Sequence, residues 1–408
     1  MAYAGARLMA AAFRSVGVDA TIAPDSNAET LELGGLHSSG EECLPHKITL
    51  GDFLRVCQAP GFDARKTAFF MPRAPGPCRF GQYAPYLKQV LKERGHGDVL
   101  VFSPTSSDGY EGMGAHAGEL IRTAWLGVVT GDLATKFLLK TRPYETHAGD
   151  ADAAFERSVA DFGAVLALPG LPVKERLRRL VDTVVQVRDR FRALPAKYVK
   201  GRPLIGVVGE IFCRLNAFSN EDAVRRTERL GGECWLSDIG EWVWYTGWWR
   251  ERDTARTRGR LTTTYLKYRI KSHVQHRYEQ ALLAPVREDL RGYEEPHSIE
   301  EVLAGAEPYL PATGALGEMT LSVGKAVYLY HKGADGIVDI SPFTCMNGVT
   351  SEAVYPALSA DQDDIPVRSL YFDKTSTHID RDLEIFLDLA RAYQRRKRQV
   401  RVYPDYFP

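Results

Sequence analysis

Apolar and polar positions alternate along this chain in blocks whose period switches repeatedly between helix and strand. The opening stretch MAYAGARLMAAAFRSVGVDA sets Leu8, Ala11 and Ala12 on one side of an amphipathic helix, with Arg7 and Arg14 interrupting it. A strand at 18–23 follows, then a helix through 50–56, a buried strand at 67–72, a helix over 80–94 and a strand at 98–103. Such alternation predicts a parallel sheet covered by helices. A unit of this kind normally opens with a strand, so either the natural start lies upstream or the sheet lacks that strand.

Residues 150–200 are charged and helical, with VKERLRRLVDTVVQVRDRFRAL carrying apolar residues at three- and four-residue spacing. A second α/β unit starts at 203–211, where PLIGVVGEI runs apolar into Gly-Glu. A helix over 219–230 follows, with Ser219 as N-cap and Glu221 and Asp222 at its positive end. A tryptophan-rich tract, WLSDIGEWVWYTGWW, precedes a long helix over 261–292. Strands at 336–341 and 366–372 alternate with helices over 349–358 and 378–395. The strand-to-helix connections PFTCMNG and DKTSTHID belong at carboxyl ends of parallel strands, where open α/β sheets place ligands. The expected organisation is an N-terminal lobe at 1–145, a helical connecting layer at 146–200 and a second α/β lobe at 201–310. Residues 311–408 then complete that lobe or form a third.

Composition narrows the function classes. Lysine plus arginine equals aspartate plus glutamate at 52 each, so no bulk field attracts nucleic acid or an anionic membrane. No apolar run approaches the ~20 residues that span a bilayer, and the chain reads as cytoplasmic. Its basic tail, RRKRQVRVYPDYF, reads as a solvated helix end. Six cysteines in 408 residues are too sparse for a disulfide scaffold, and none forms a C-x-x-C pair. A metal site must therefore be assembled from distant segments.

Cys43, Cys78 and Cys345 share a setting: each is flanked by proline or glycine and stands just ahead of a helix. There the helix dipole favours the thiolate, the form that binds iron. Buried thiols in tight turns are the plainer reading, weakened by finding the same setting three times. Cys57 and Cys234 read as packing residues, and Cys213 is ambiguous. Glu42, Glu210 and Arg214 are secondary candidates: Glu42 adjoins Cys43, Glu210 ends an apolar strand, and Arg214 carries a charge able to offset a cluster. Each also suits an ordinary cap or ion pair. His273, His276 and Glu279 share a helix face that reads as a polar stripe. There is no G-x-x-x-x-G-K-[ST], no G-x-G-x-x-G after a strand and no G-x-S-x-G elbow, so no bound nucleotide is expected.

The blocks GEECLPHKITLGDFL, MPRAPGPCRFGQY, IGVVGEIFCRLNAFSN, DISPFTCMNGVTSEA and IPVRSLYFDKTSTHIDRDLEIFLD, spread over nearly the whole chain, resemble those of acyl-CoA dehydratase activase-related proteins. These are similar to 2-hydroxyacyl-CoA dehydratase subunits and double-cubane-cluster proteins. The resemblance implies two or three Rossmann-like lobes, with an iron–sulfur cluster in the cleft between them held by Cys43, Cys78 and Cys345. A [4Fe–4S] cluster with one open iron is implied, or a double cubane. It further implies an ATP-hydrolysing activase partner of the sugar-kinase, Hsp70 and actin superfamily that delivers low-potential electrons. A homodimer or a related subunit is compatible with the family. The expected role is reduction of a small substrate or onward electron transfer; a non-enzymatic carrier, an activation-complex subunit and a metal-free binding protein are the alternatives. The chain reads MNG after Cys345 where many relatives read Met-Pro-Gly, and nothing marks a coenzyme A pocket.

Overall fold

A computed structural model describes residues 3–74, 76–105, 110–314, 316–375 and 378–408. The fold mixes helices with two parallel sheets. The N-terminal part holds α1 (Tyr3–Ser15), α2 (Ala28–Leu36), α3 (Leu44–Gln58), β1 (Ala68–Phe70), α4 (Tyr83–Glu93) and β2 (Leu100–Phe102). Strands β1 and β2 pair in parallel, Phe69 opposite Val101. Their core joins Leu50 and Leu54 of α3 to Leu87 and Leu91 of α4.

Three helices follow: α5 (Ala117–Thr141), α6 (Asp150–Leu166) and α7 (Val173–Arg192). They bury Phe137, Phe162, Leu180 and Val184 with Leu8 of α1. Gly127 and Gly131 of α5 lie against Leu8, close enough that a Cβ at either would crowd its side chain.

The larger sheet comes next, from β3 (Leu204–Gly209), α8 (Ile211–Leu215), α9 (Ala223–Arg229), β4 (Glu233–Leu236), α10 (Ile239–Arg258) and α11 (Thr263–Leu283). The chain continues with α12 (Ile299–Ala306), α13 (Glu318–His331), β5 (Gly336–Pro342), α14 (Met346–Asp361), β6 (Val367–Phe372) and α15 (Ile379–Gln394). Its strand order is β4-β3-β5-β6, all parallel. Strands β3 and β5 are buried along their whole length, as expected of central strands covered on both faces. Residues beyond 311 thus supply two strands to the sheet begun at 204.

Three local expectations are corrected. Residues 18–23 form no strand; they run irregularly along a cleft wall. Ser219 does not cap a helix, because Glu221 and Asp222 both take positive φ (54° and 62°) and delay the helix to Ala223. The long helix stops at Leu283, where Pro285 enters a 3-10 turn and cannot supply the next N–H donor. Among the described residues, no helix is long and apolar enough to cross a membrane.

Candidate functional site

Cys43, Cys78 and Cys345 come to one cleft of about 1580 Å³. Local sequence places each of them just ahead of a helical turn. Cys43 is the N-cap of α3, with a proline in that helix's first turn. Cys78 caps the 3-10 turn Arg79–Gln82, its sulfur accepting from the Phe80 N–H at 3.5 Å. Cys345 follows β5 and caps α14. The cleft opens at the carboxyl ends of β1, β3 and β5, the position that α/β sheets give to ligands. The other connection singled out in the sequence includes Ser376 and Thr377, which lie outside the described residues.

Arg79 ties the three cysteine loops together. Its guanidinium donates to the Glu41 carbonyl, two residues before Cys43, and to the Thr344 carbonyl at 3.2 Å, immediately before Cys345. Tyr83 of α4 adds a contact at 2.8 Å between its hydroxyl and the Cys43 sulfur. Neither residue stood out in the sequence. Arginine beside a cysteine was the available signal for the first; nothing local marked the second.

The expectation of thiolates is corrected, because burial outweighs the helix ends at all three cysteines. Burial raises Cys43, and the surrounding protein pushes Cys78 up to about 11 and Cys345 up to about 12. Amides do favour the charged forms, from Phe80 at Cys78 and from Gly348 and Asn347 at Cys345, but they are outweighed. The carboxylates Glu210 and Glu318 raise both thiols further.

Those two carboxylates meet at the start of α8. Glu210 accepts from the N–H groups of Phe212 (2.9 Å) and Cys213 (2.7 Å). Glu318, at the start of α13, accepts from the Ile211 N–H at 3.1 Å. Burial and then the neighbouring Glu210 charge push Glu318 up to about 8, while the Arg214 cation opposes them. Burial raises Glu210 as well. Glu210 and Glu318 line the cleft, and Arg214 stands behind them in a smaller cavity. Glu318 did not stand out in the sequence.

Glu42 points elsewhere. Its carboxylate accepts from the Ser39 N–H and hydroxyl and from the Gly40 N–H, at 2.9–3.1 Å. Burial works against ionisation, yet those bonds bring Glu42 down to about 2. It builds the loop before Cys43 and does not line the cleft. Cys57, Cys213 and Cys234 are buried in apolar cores. The tryptophans divide their roles. Trp242 lines the cleft, Trp244 packs edge-on to Trp125 at 5.2 Å, and Trp235 is core. His276 sits against Trp244.

Among the described residues, no three His, Cys, Asp or Glu side chains stand close enough to hold a single metal ion. Cys43, Cys78 and Cys345 line one cleft, and Arg79 bonds to the backbone just before Cys43 and Cys345. The donor set is sulfur, the ligand type of iron–sulfur clusters. Compared with known protein families and with curated proteins, the chain matches none.

Proposed function

We propose that this chain is an iron–sulfur protein of the 2-hydroxyacyl-CoA dehydratase kind, built of two Rossmann-like lobes with its cluster in the cleft between them. Cys43, Cys78 and Cys345 are its protein ligands. The observation that supports this reading is the convergence of three helix-capping cysteines on one cleft, with Arg79 bonded to the loops of the other two. When bound, a [4Fe–4S] cluster or a double cubane supplies low-potential one-electron chemistry, fed by an ATP-hydrolysing activase-type partner.

The chain's own residues supply charge, shape and protons. Arg79 places positive charge near Cys43, and Arg214 places it beside Glu210 and Glu318. Glu318, pushed up to about 8, carries a proton at neutral pH on the cleft wall. Phe53, Phe69, Phe70 and Met71 give the far side of the cleft an apolar lining that keeps water from a bound small molecule. An open cleft of this volume favours reduction of a substrate over a closed electron carrier. Six free cysteines accord with a reducing, cytoplasmic setting.

The test is anaerobic purification followed by iron and sulfide determination, beside a variant with all three cysteines changed to alanine. Near four of each per chain, absent from the variant, supports one cubane, and about twice that a double cubane. No iron after anaerobic reconstitution refutes the reading.

A further inference from the structure

The three cysteine sulfurs of the cleft are not equivalent. Cys78 accepts from a backbone N–H, that of Phe80 at 3.5 Å, and the Gly348 and Asn347 amides favour the charged form of Cys345. Among the described residues, Cys43 is the one of the three whose sulfur meets a side-chain hydrogen-bonding group, the Tyr83 hydroxyl at 2.8 Å. Tyr83 opens α4, on the chain segment that carries Cys78, yet the sulfur it touches stands 40 residues back. Its place is fixed by packing. Tyr83 is 7% exposed, and its ring lies 4.9 Å from that of His46 and edge-on to Phe80 at 5.3 Å. His46 belongs to the first turn of α3, which Cys43 caps, and Phe80 to the turn that Cys78 caps. The ring is thus held by groups from both cysteine loops, and among the described residues its hydroxyl bonds to nothing but Cys43.

Chemistry sets the direction of that bond once Cys43 is a ligand. A thiolate sulfur carries no proton and can only accept, whereas a tyrosine hydroxyl keeps its proton at neutral pH. Tyr83 is then the donor. Its role differs from that of Arg79. Arg79 bonds to backbone carbonyls and governs where the loops stand, while Tyr83 bonds to a sulfur and acts on the charge that sulfur carries.

We propose that Tyr83 is a positioning residue that raises the reduction potential of the cleft's cluster through the hydrogen bond it donates to Cys43 Sγ. This rests on the iron–sulfur reading given above. Reduction adds one negative charge, part of which falls on the ligand sulfurs. A hydrogen bond to sulfur strengthens as that charge grows, so Tyr83 favours the reduced form over the oxidised one. The electron comes from the activase-type partner, or from dithionite in the test below. No covalent bond forms or breaks in this step, and the hydroxyl keeps its proton throughout.

The test is a redox titration of anaerobically reconstituted protein with dithionite, read by visible absorbance and electron spin resonance, with iron counted in every sample. Tyr83→Phe keeps the ring and removes the donor. It is expected to hold wild-type iron and to show a reduced-to-oxidised ratio about tenfold lower at any given potential, a fall of about 59 mV for a one-electron couple. Replacing Tyr83 by fluorotyrosine keeps the hydroxyl and makes it a stronger donor, so its midpoint is expected above that of the wild type. A role in shape alone would leave both midpoints where they were. An unchanged midpoint in Tyr83→Phe with iron bound overturns the proposal. If Tyr83→Phe loses its iron, the fluorotyrosine protein decides: a raised midpoint supports the proposal and a wild-type midpoint overturns it. Wild-type protein that takes up no iron overturns the cluster reading and this proposal together, and the iron count separates that result from the others.

Discussion

Arg79→Met tests the cleft where its assembly is most economical. The wild-type guanidinium donates to the backbone of Glu41 and, at 3.2 Å, to that of Thr344. A hydrogen bond from a charged donor contributes about 1.5–3 kcal/mol when well shielded. Arg79 is exposed, and solvent screening reduces its two bonds to about 1–2 kcal/mol together. At 1.4 kcal/mol per tenfold, that corresponds to roughly 5–30-fold in any equilibrium that needs all three cysteine loops in register. The assay is the rate at which a strong chelator strips iron from anaerobically reconstituted protein, read beside a thermal melt. Arg79→Met is expected to release iron about 5–30-fold faster, with a drop in Tm of no more than a few degrees. Arg79→Lys keeps the charge but cannot fork to both carbonyls, so it is expected to fall between the two. Iron released at the wild-type rate would refute the argument that Arg79 joins the loops. A large fall in Tm would show that it supports the fold instead.

Three further outcomes are expected. Lys325→Met leaves Glu241 and Glu295 buried without their shared cation and should cost about 3–5 kcal/mol in denaturant unfolding, much of it recovered when Glu241→Gln and Glu295→Gln are added. Glu318 is held up to about 8 in the folded chain against an ordinary value of 4.5, so the folded state binds the extra proton and stability falls as pH rises from about 5 to 8. Denaturation midpoints across that range should flatten in Glu318→Gln; an unchanged slope would show that the carboxyl ionises normally. Gly209 ends β3 at φ +114°, and a Cβ there would meet the Ile340 carbonyl at 2.2 Å. Gly209→Ala should therefore cost at least ~2 kcal/mol by thermal melt, and shift Glu210 as the strand end moves.

What could be read from the sequence is what local pattern controls. Strands β3 and β5 are continuous apolar runs, and their buried central places follow from that composition. The three cysteines carried their own signal, proline or glycine beside a thiol just ahead of a helix, and each proves to be an N-cap. Arg79 carried only its place beside a cysteine, because the partners that give it a role stand 38 and 265 residues away. Glu318 was hidden for the same reason, its N–H donor lying 107 residues back at Ile211. Residues 18–23 failed in the opposite sense. Their β-propensity is real, but a strand needs a paired neighbour, and the segment runs beside the cleft without one.

The thiols show the same division between local and tertiary effects in energetic form. A helix N-terminus favours an adjacent thiolate by about 0.3–1 kcal/mol, an effect of the local chain and visible in its sequence. Burial works through whatever packs around the sulfur, and here it wins at all three sites, lifting Cys78 to about 11 and Cys345 to about 12. One pKa unit corresponds to about 1.4 kcal/mol, so a dipole effect of that size cannot offset a rise of two or more. Ligand binding at these cysteines must therefore displace protons, as it does wherever thiolates take up metal. Glu210 and Glu318, which act on Cys78 and Cys345 through their charge, oppose that proton loss.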